Sequence, residues 1–216
     1  MTDFSSIKAA QALVFNRKSN LGTLIKAVTG MPYTHCAIYE GAHHSEVYTT
    51  IEAHDLEGVR HCVVGDDYFA DPTVLTIAAY DIPTLTDDER WAILDYADGM
   101  NGWPYDTEQL IGILCHRRIP GMTLNQNSLD DPKKLICSEL VGRAYIGGAH
   151  RMGILPDGVC VGCLTPADLT TTLTWTHEWY RGPGGVWVAA TTKEEVPREE
   201  IHPFVPSAPD PPDSGH

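Results

Sequence analysis

Three side chains in this sequence have the types needed for nucleophilic attack on a carbonyl: Cys137, His35 and Glu52. Cys137 stands in KLICSELVGRAY, after Pro132 and just ahead of Leu140, Val141, Ala144 and Tyr145, which recur at helical spacing. The helix is therefore expected to begin close to Cys137. A thiol there faces unsatisfied N–H groups and the positive end of the helix dipole, and both favour the thiolate. The same N–H groups would stabilise an oxyanion formed when that thiolate attacks a carbonyl. Taken alone, the segment equally admits a small packed core residue, which is what most cysteines are.

A nucleophilic cysteine needs a base, so the ten histidines must be sorted. His43 and His44 fall in the turn GAHHS, and His202 and His216 in the C-terminal tail. His35 lies in THCAIYE, an alternating run that forms a hairpin with EVYTTIEAH. With Glu40 and Val47 closing the turn, antiparallel counting sets His35 opposite Glu52. His35, Ala37, Tyr39, Tyr48, Thr50 and Glu52 then share one face, and Cys36, Ile38, Thr49 and Ile51 the other, more apolar one. Opposed side chains have Cβ atoms roughly 5 Å apart, so Glu52 would hold the His35 ring and stabilise its imidazolium. The alternative is an incidental polar pair on a wet face. His54, two residues beyond Glu52 on the same face, is the rival for the third position.

Cys160 and Cys163, in CVGC, offer a competing chemistry, because their spacing is that of metal ligands and His35, Glu52 and His54 could share a strand face. No second CxxC or HxxxH completes a closed zinc site. A redox role for the pair is weaker still, since no clear strand-to-helix junction carries it.

The elements that must position these groups follow from the pattern. Strands are expected at 10–16, 59–64 and 74–80, with an acidic turn, GDDYFADP, between the last two. A short amphipathic turn of helix over 21–28 closes at Gly30 and Pro32. A helix over 86–100 starts at Thr86 as N-cap, with Asp87, Asp88 and Glu89 in its first turn and Trp91, Ile93, Leu94 and Ala97 as its apolar stripe. GWPYD makes a turn ahead of a helix over 107–115, and 121–132 reads as loop. TPADL starts a further helix, and LTWTHEWY and GVWVAAT are strands joined by RGPGG. Strands and separate helices without regular βαβ alternation indicate an α+β domain around an antiparallel sheet with packed helices. The domain is assigned to residues 1–192, and the proline-rich, charged stretch 193–216 to a flexible tail.

The whole chain has 216 residues, a hydrophobic fraction of 43% and a net charge of −14. It is long enough to bury a full core, and its acidity disfavours nucleic acid as a partner. No segment is long and apolar enough for a membrane span, so stable membrane insertion is not expected. The first residues lack the basic start and apolar run of a secretory signal, giving an expectation of a cytoplasmic protein with reduced thiols.

The ordered set THCAIYEG, TIEAH, GWPYD, ICSELVGRAY and LTPADL resembles the circularly permuted papain-like enzymes of the NlpC superfamily, in particular the YiiX-like branch. In that branch the histidine strand precedes the cysteine helix, as it does here. The resemblance spans about residues 10–169. It implies a permuted papain-like, NlpC-type fold, with Cys137 as nucleophile, His35 as base and Glu52 orienting it. It also matches Tyr105 of GWPYD to a tyrosine that lies beside the nucleophile, near the substrate. The implied activity is cysteine-dependent hydrolysis, without cofactor or metal, of an amide in a small peptide-like or cell-wall-peptide-related substrate through a thioester. The long stretch between Tyr105 and Cys137, and the strands after Leu169, depart from the simplest family pattern. Two other readings accompany this one: a lipid ester or amide hydrolase or acyltransferase on the same fold, and a binding module that has kept the fold without turnover.

Overall fold

The strand Ala12–Arg17 (β1) is apolar on both sides, with Ala12, Leu13, Val14 and Phe15 all fully buried. Such a strand belongs in the middle of a sheet covered on both faces. The computed structural model, which describes residues 4, 6–43, 47–118 and 131–196, puts it there. After the helix Asn20–Thr29 (α1), capped by Ser19, come His35–His43 (β2), Val47–His54 (β3), Gly58–Val63 (β4) and Val74–Asp81 (β5). Three helices follow: Asp87–Asp98 (α2), Thr107–Arg118 (α3) and Cys137–Ala149 (α4). The described chain continues through Pro166–Thr172 (α5), Thr174–Arg181 (β6) and Trp187–Ala190 (β7). All seven strands form one antiparallel sheet in the order β4-β3-β2-β1-β5-β6-β7, so the domain is α+β.

Period-two alternation sends the strand residues into two cores. Val14, Cys36, Ile38, Ile51 and Ala78 face the layer of α2 and α4. Leu13, Phe15, Ala37, Tyr39 and Ile77 face an aromatic layer that includes Phe4, Tyr68 and Trp179. A smaller cluster joins α1 and α3 through Ile25, Leu110, Ile113 and Leu114, and takes in Ile136 just before α4.

Three expectations need correction. The hairpin does not close at Glu40: β2 runs on through Gly41 to His43, and residues 44–46 lie outside the described part. A bulge between Tyr39 and Gly41, with Gly41 at φ +115, lets the strand continue. It puts Ala37, not His35, opposite Glu52. Second, Trp91 is 63% exposed and is not part of the inward stripe of α2. That stripe is Arg90, Ile93, Leu94 and Ala97, at i, i+3, i+4 and i+7, with Arg90 bonded to Asp81 and the Ala9 carbonyl. Third, the acidic turn after β4 is a π-helical turn, Gly65–Phe69, that buries Tyr68.

The loop expected over 121–132 falls almost wholly on 119–130, outside the described residues. Residues 197–216 of the expected tail also lie outside them, whereas Lys193–Glu195 forms a 3-10 turn and Val196 is buried.

The placement of α4 rests on a close approach to α2. A Cβ added at Gly148 would lie 2.5 Å from the Ala92 carbonyl oxygen and 2.7 Å from the Ile93 Cα, both backbone atoms. Alanine in place of a helix-interior glycine ordinarily stabilises by up to about 1 kcal/mol. Here the sign should reverse: Gly148→Ala should cost about 1–3 kcal/mol in urea denaturation by forcing the two helices apart. Unchanged or raised stability would show that the contact gives way freely.

Candidate functional site

Glu52 sits in mid-β3 with no exposed surface. A carboxylate buried this completely is costly unless donors surround it. Four side chains do so. Its Oε2 accepts from His35 Nε2 at 2.5 Å and from the Tyr68 hydroxyl. Its Oε1 accepts from Arg60 Nε at 3.0 Å and Nη2 at 2.8 Å, and from the Cys62 thiol at 2.8 Å. Burial works against the charge, but these bonds, His35 foremost, hold the Glu52 carboxyl well below the usual carboxylate range.

Each donor has a structural reason to be there. Arg60 is directly across from Glu52 in the β3–β4 ladder, and Cys62 lies two residues on, on the same face. Tyr68 comes from the π-helical turn that follows β4, and its ring stacks on Phe15 at 4.2 Å. Phe15 in turn lies 5.5 Å from the His35 ring and is its partner in the β1–β2 ladder. The ring of His35 is thus fixed by packing as well as by Glu52. The observed register differs from the expected one by two residues, which leaves both side chains on the same face and makes the pair diagonal rather than directly opposed.

Cys137 arrives from the other layer. It is the first residue of α4, behind Ile136 as N-cap, and is 5% exposed. Because His35 opens β2, it stands where the strand end meets the start of α4. The Cys137 sulfur lies within electrostatic reach of the Cys36 thiol, the His35 ring and the Cys36 backbone N–H. With Nε2 committed to Glu52, Nδ1 is the His35 nitrogen left for sulfur. These neighbours, Cys36 foremost, and the charge of His35 outweigh burial and bring the Cys137 thiol well below its ordinary value. His35 shows the complement: burial disfavours its charge, but the Glu52 and Cys137 anions prevail and raise it to about 9. Cys36 and Cys62 are pushed up, first by burial, and stay protonated. These directions favour a thiolate–imidazolium pair braced by a buried carboxylate, an arrangement capable of nucleophilic attack followed by proton donation.

Tyr105 is tied to the same place by backbone. It forms a parallel bridge with Leu135, two residues before Cys137, flanked by bonds from Leu135 N–H to the Pro104 carbonyl and from Asp106 N–H to the Leu135 carbonyl. Burial and the nearby Cys137 raise its phenol well above the ordinary value, so it is neutral. Tyr105 and His35 both line a cleft of about 250 Å³, together with Arg17, Lys18, Thr34 and His54. His54 Nδ1 lies 3.2 Å from Asp55 Oδ1; the carboxylate that meets His35 is that of Glu52. Among the described residues, no group of three or more His, Cys, Asp or Glu side chains is gathered as a metal site. The residues that sequence reasoning missed are Arg60, Cys62, Tyr68 and Cys36. Of these, Arg60 and Cys62 had an accessible signal, the antiparallel counting from β3 across to β4.

Cys137 should therefore be the described cysteine most readily alkylated at mildly acidic pH, because Cys36 and Cys62 remain thiols there. Limiting iodoacetamide with peptide mapping checks this, and Glu52→Gln should move the onset of Cys137 labelling to higher pH by weakening the imidazolium. Equal labelling of Cys62 or Cys160, or an onset that Glu52→Gln does not move, would contradict the arrangement.

No family profile and no curated protein sequence matches this chain. Among solved structures it is similar to the crystal structure of the metalloprotein YiiX from Escherichia coli O157:H7, at 14% identity. That likeness covers 66% of this chain and 67% of the other, with a TM-score of 0.49.

Proposed function

We propose that this protein is a cysteine-dependent hydrolase of the permuted papain-like, NlpC type, cleaving an amide bond in a peptide-like substrate. The observation that carries the reading is the buried His35–Glu52 pair, with Nε2 and Oε2 2.5 Å apart, next to the Cys137 thiol at the start of α4, whose ionisation His35 favours. A cross-strand ion pair needs no cysteine at its free end, and a structural cysteine needs no charged histidine. Their coincidence at a helix N-terminus, beside a cleft, supports catalysis. The order of His35 before Cys137 along the chain supports the permuted arrangement.

In this mechanism the Cys137 thiolate attacks the substrate carbonyl carbon. Negative charge develops on the carbonyl oxygen, which faces the N–H groups at the N-terminus of α4. Imidazolium at His35 gives its Nδ1 proton to the departing amine as the C–N bond breaks, leaving a thioester on Cys137. Neutral His35 then takes a proton from water, whose oxygen attacks the thioester, and the thiolate leaves as the acid product forms. Glu52 stays ionised throughout and keeps Nδ1 aimed at the sulfur. Tyr105 lines the path to the nucleophile as a substrate contact.

Incubation with candidate peptide amides followed by intact mass spectrometry should trap an acyl group on Cys137. Cys137→Ala should lower turnover about a thousandfold or more with unchanged cooperative unfolding. Glu52→Gln should lower kcat with KM little changed, and less severely than His35→Ala, because the amide still orients the ring. Wild-type turnover in Cys137→Ala would place the nucleophile elsewhere and end this reading.

A further inference from the structure

Cys160 and Cys163 take no part in the site around Glu52, yet their arrangement is specific. Their sulfurs are 2.7 Å apart, close enough that a small side-chain movement would bring them to the ~2.05 Å of an S–S bond. Neither is in a disulfide. Val161–Cys163 forms a single 3-10 turn in which the Cys163 N–H bonds to the Cys160 carbonyl at 2.9 Å. That turn is held from several sides. Gln109 Nε2 donates to the Gly162 carbonyl at 2.9 Å, and Ser138 Oγ donates to the Leu164 carbonyl at 2.6 Å. Val161 and Leu164 also pack on α4 at Gly142, where an added Cβ would come within 2.9 Å and 2.5 Å of their side chains. The two thiols are held together by the fold and do not meet by chance. They are also unlike each other: Cys160 is partly exposed, whereas Cys163 is 1% exposed.

We infer that Cys160 and Cys163 form a reversible dithiol–disulfide site that exchanges with low-molecular-weight disulfides. A partly exposed attacking thiol beside a buried resolving thiol is the division of labour that such exchange requires. The loop closed by the bond is too short to restrict the unfolded chain much, so it adds little as a staple and is suited to being made and broken. The Cys160 thiolate attacks one sulfur of a small disulfide RSSR, forming a mixed disulfide and releasing RS⁻. The Cys163 thiolate then attacks the Cys160 sulfur, forming the intramolecular bond and releasing the second RS⁻. The two thiol protons pass to the two released thiolates, giving two RSH, and two electrons move from the protein to the small disulfide. A metal held by the pair is the competing use, but two sulfurs alone are half of a zinc ligand set, and no third His, Cys, Asp or Glu joins them among the described residues.

The experiment uses the full chain, equilibrated in glutathione buffers of graded oxidised-to-reduced ratio, alkylated and digested with trypsin. The segment 152–181 carries Cys160 and Cys163 and no other cysteine, so the two can be followed apart from Cys36, Cys62, Cys115 and Cys137. The expected result is a segment that goes from doubly alkylated to unalkylated as the ratio rises, and back again with dithiothreitol. Cys163→Ser should instead stop at glutathione mixed with Cys160. A segment that stays doubly alkylated at every ratio overturns the inference. So does a stable mixed disulfide at Cys160 in the wild type, or protection from alkylation that depends on added zinc. None of these outcomes depends on Cys137 being a nucleophile, so this inference and the proposed hydrolase stand or fall separately.

Discussion

A carboxylate with no solvent contact is the constraint around which this end of the molecule is arranged. Water hydrates an exposed glutamate without help, but Glu52 in mid-sheet needs every lone pair met by protein. Arg60 and Cys62 meet it from β4, Tyr68 from the π-helical turn and His35 from β2. Three of the four donors lie on elements that would be ordinary in any hairpin. The π-helical turn is not, and it brings the Tyr68 hydroxyl to Oε2 while stacking its ring on Phe15. Removing one partner from such a group leaves charge stranded, which is why buried pairs of this kind are more costly to break than to replace whole.

From Glu52 the charge order runs outward: carboxylate, imidazolium, thiolate. Each member shifts the next, so Cys137 depends on a residue two shells away in the opposite core layer. The helix contributes as well. Ile136 packs in the α1–α3 cluster, Leu135 is bridged to Tyr105, and Gly148 lets the far end of α4 lie close against α2. The N-terminus of α4 is therefore pinned along its length and cannot drift from the end of β2. A rigid element on each side of the sulfur is what proximity effects in covalent catalysis ask for.

Much of this was legible in sequence. The start of α4 followed from the spacing of Leu140, Val141, Ala144 and Tyr145, and the shared face of His35 and Glu52 from period-two alternation. The face assignment survived an incorrect register because the error was even: the bulge at Glu40 and the longer β2 moved the pairing by two residues. What was not legible came from places where type and position part company. Arg90 occupies an inward helical position that apolar counting skips, and Trp91 is apolar but out of phase. Tyr68 looked like part of an acidic turn because nothing local announces a π-helical turn that buries one ring. Cys36 read as a core residue on an apolar face, which it is, and its thiol also reaches a second cysteine more than a hundred positions away.

The reactivity of Cys137 depends on His35 being held as imidazolium by Glu52, and NMR titration of the His35 ring in the full chain tests that directly. The prediction is a ring protonated on both nitrogens at neutral pH, losing its proton near pH 9, with Glu52→Gln bringing that value down toward the ordinary 6.5. A wild-type ring that titrates near 6.5, or a raised value that Glu52→Gln leaves in place, would contradict it.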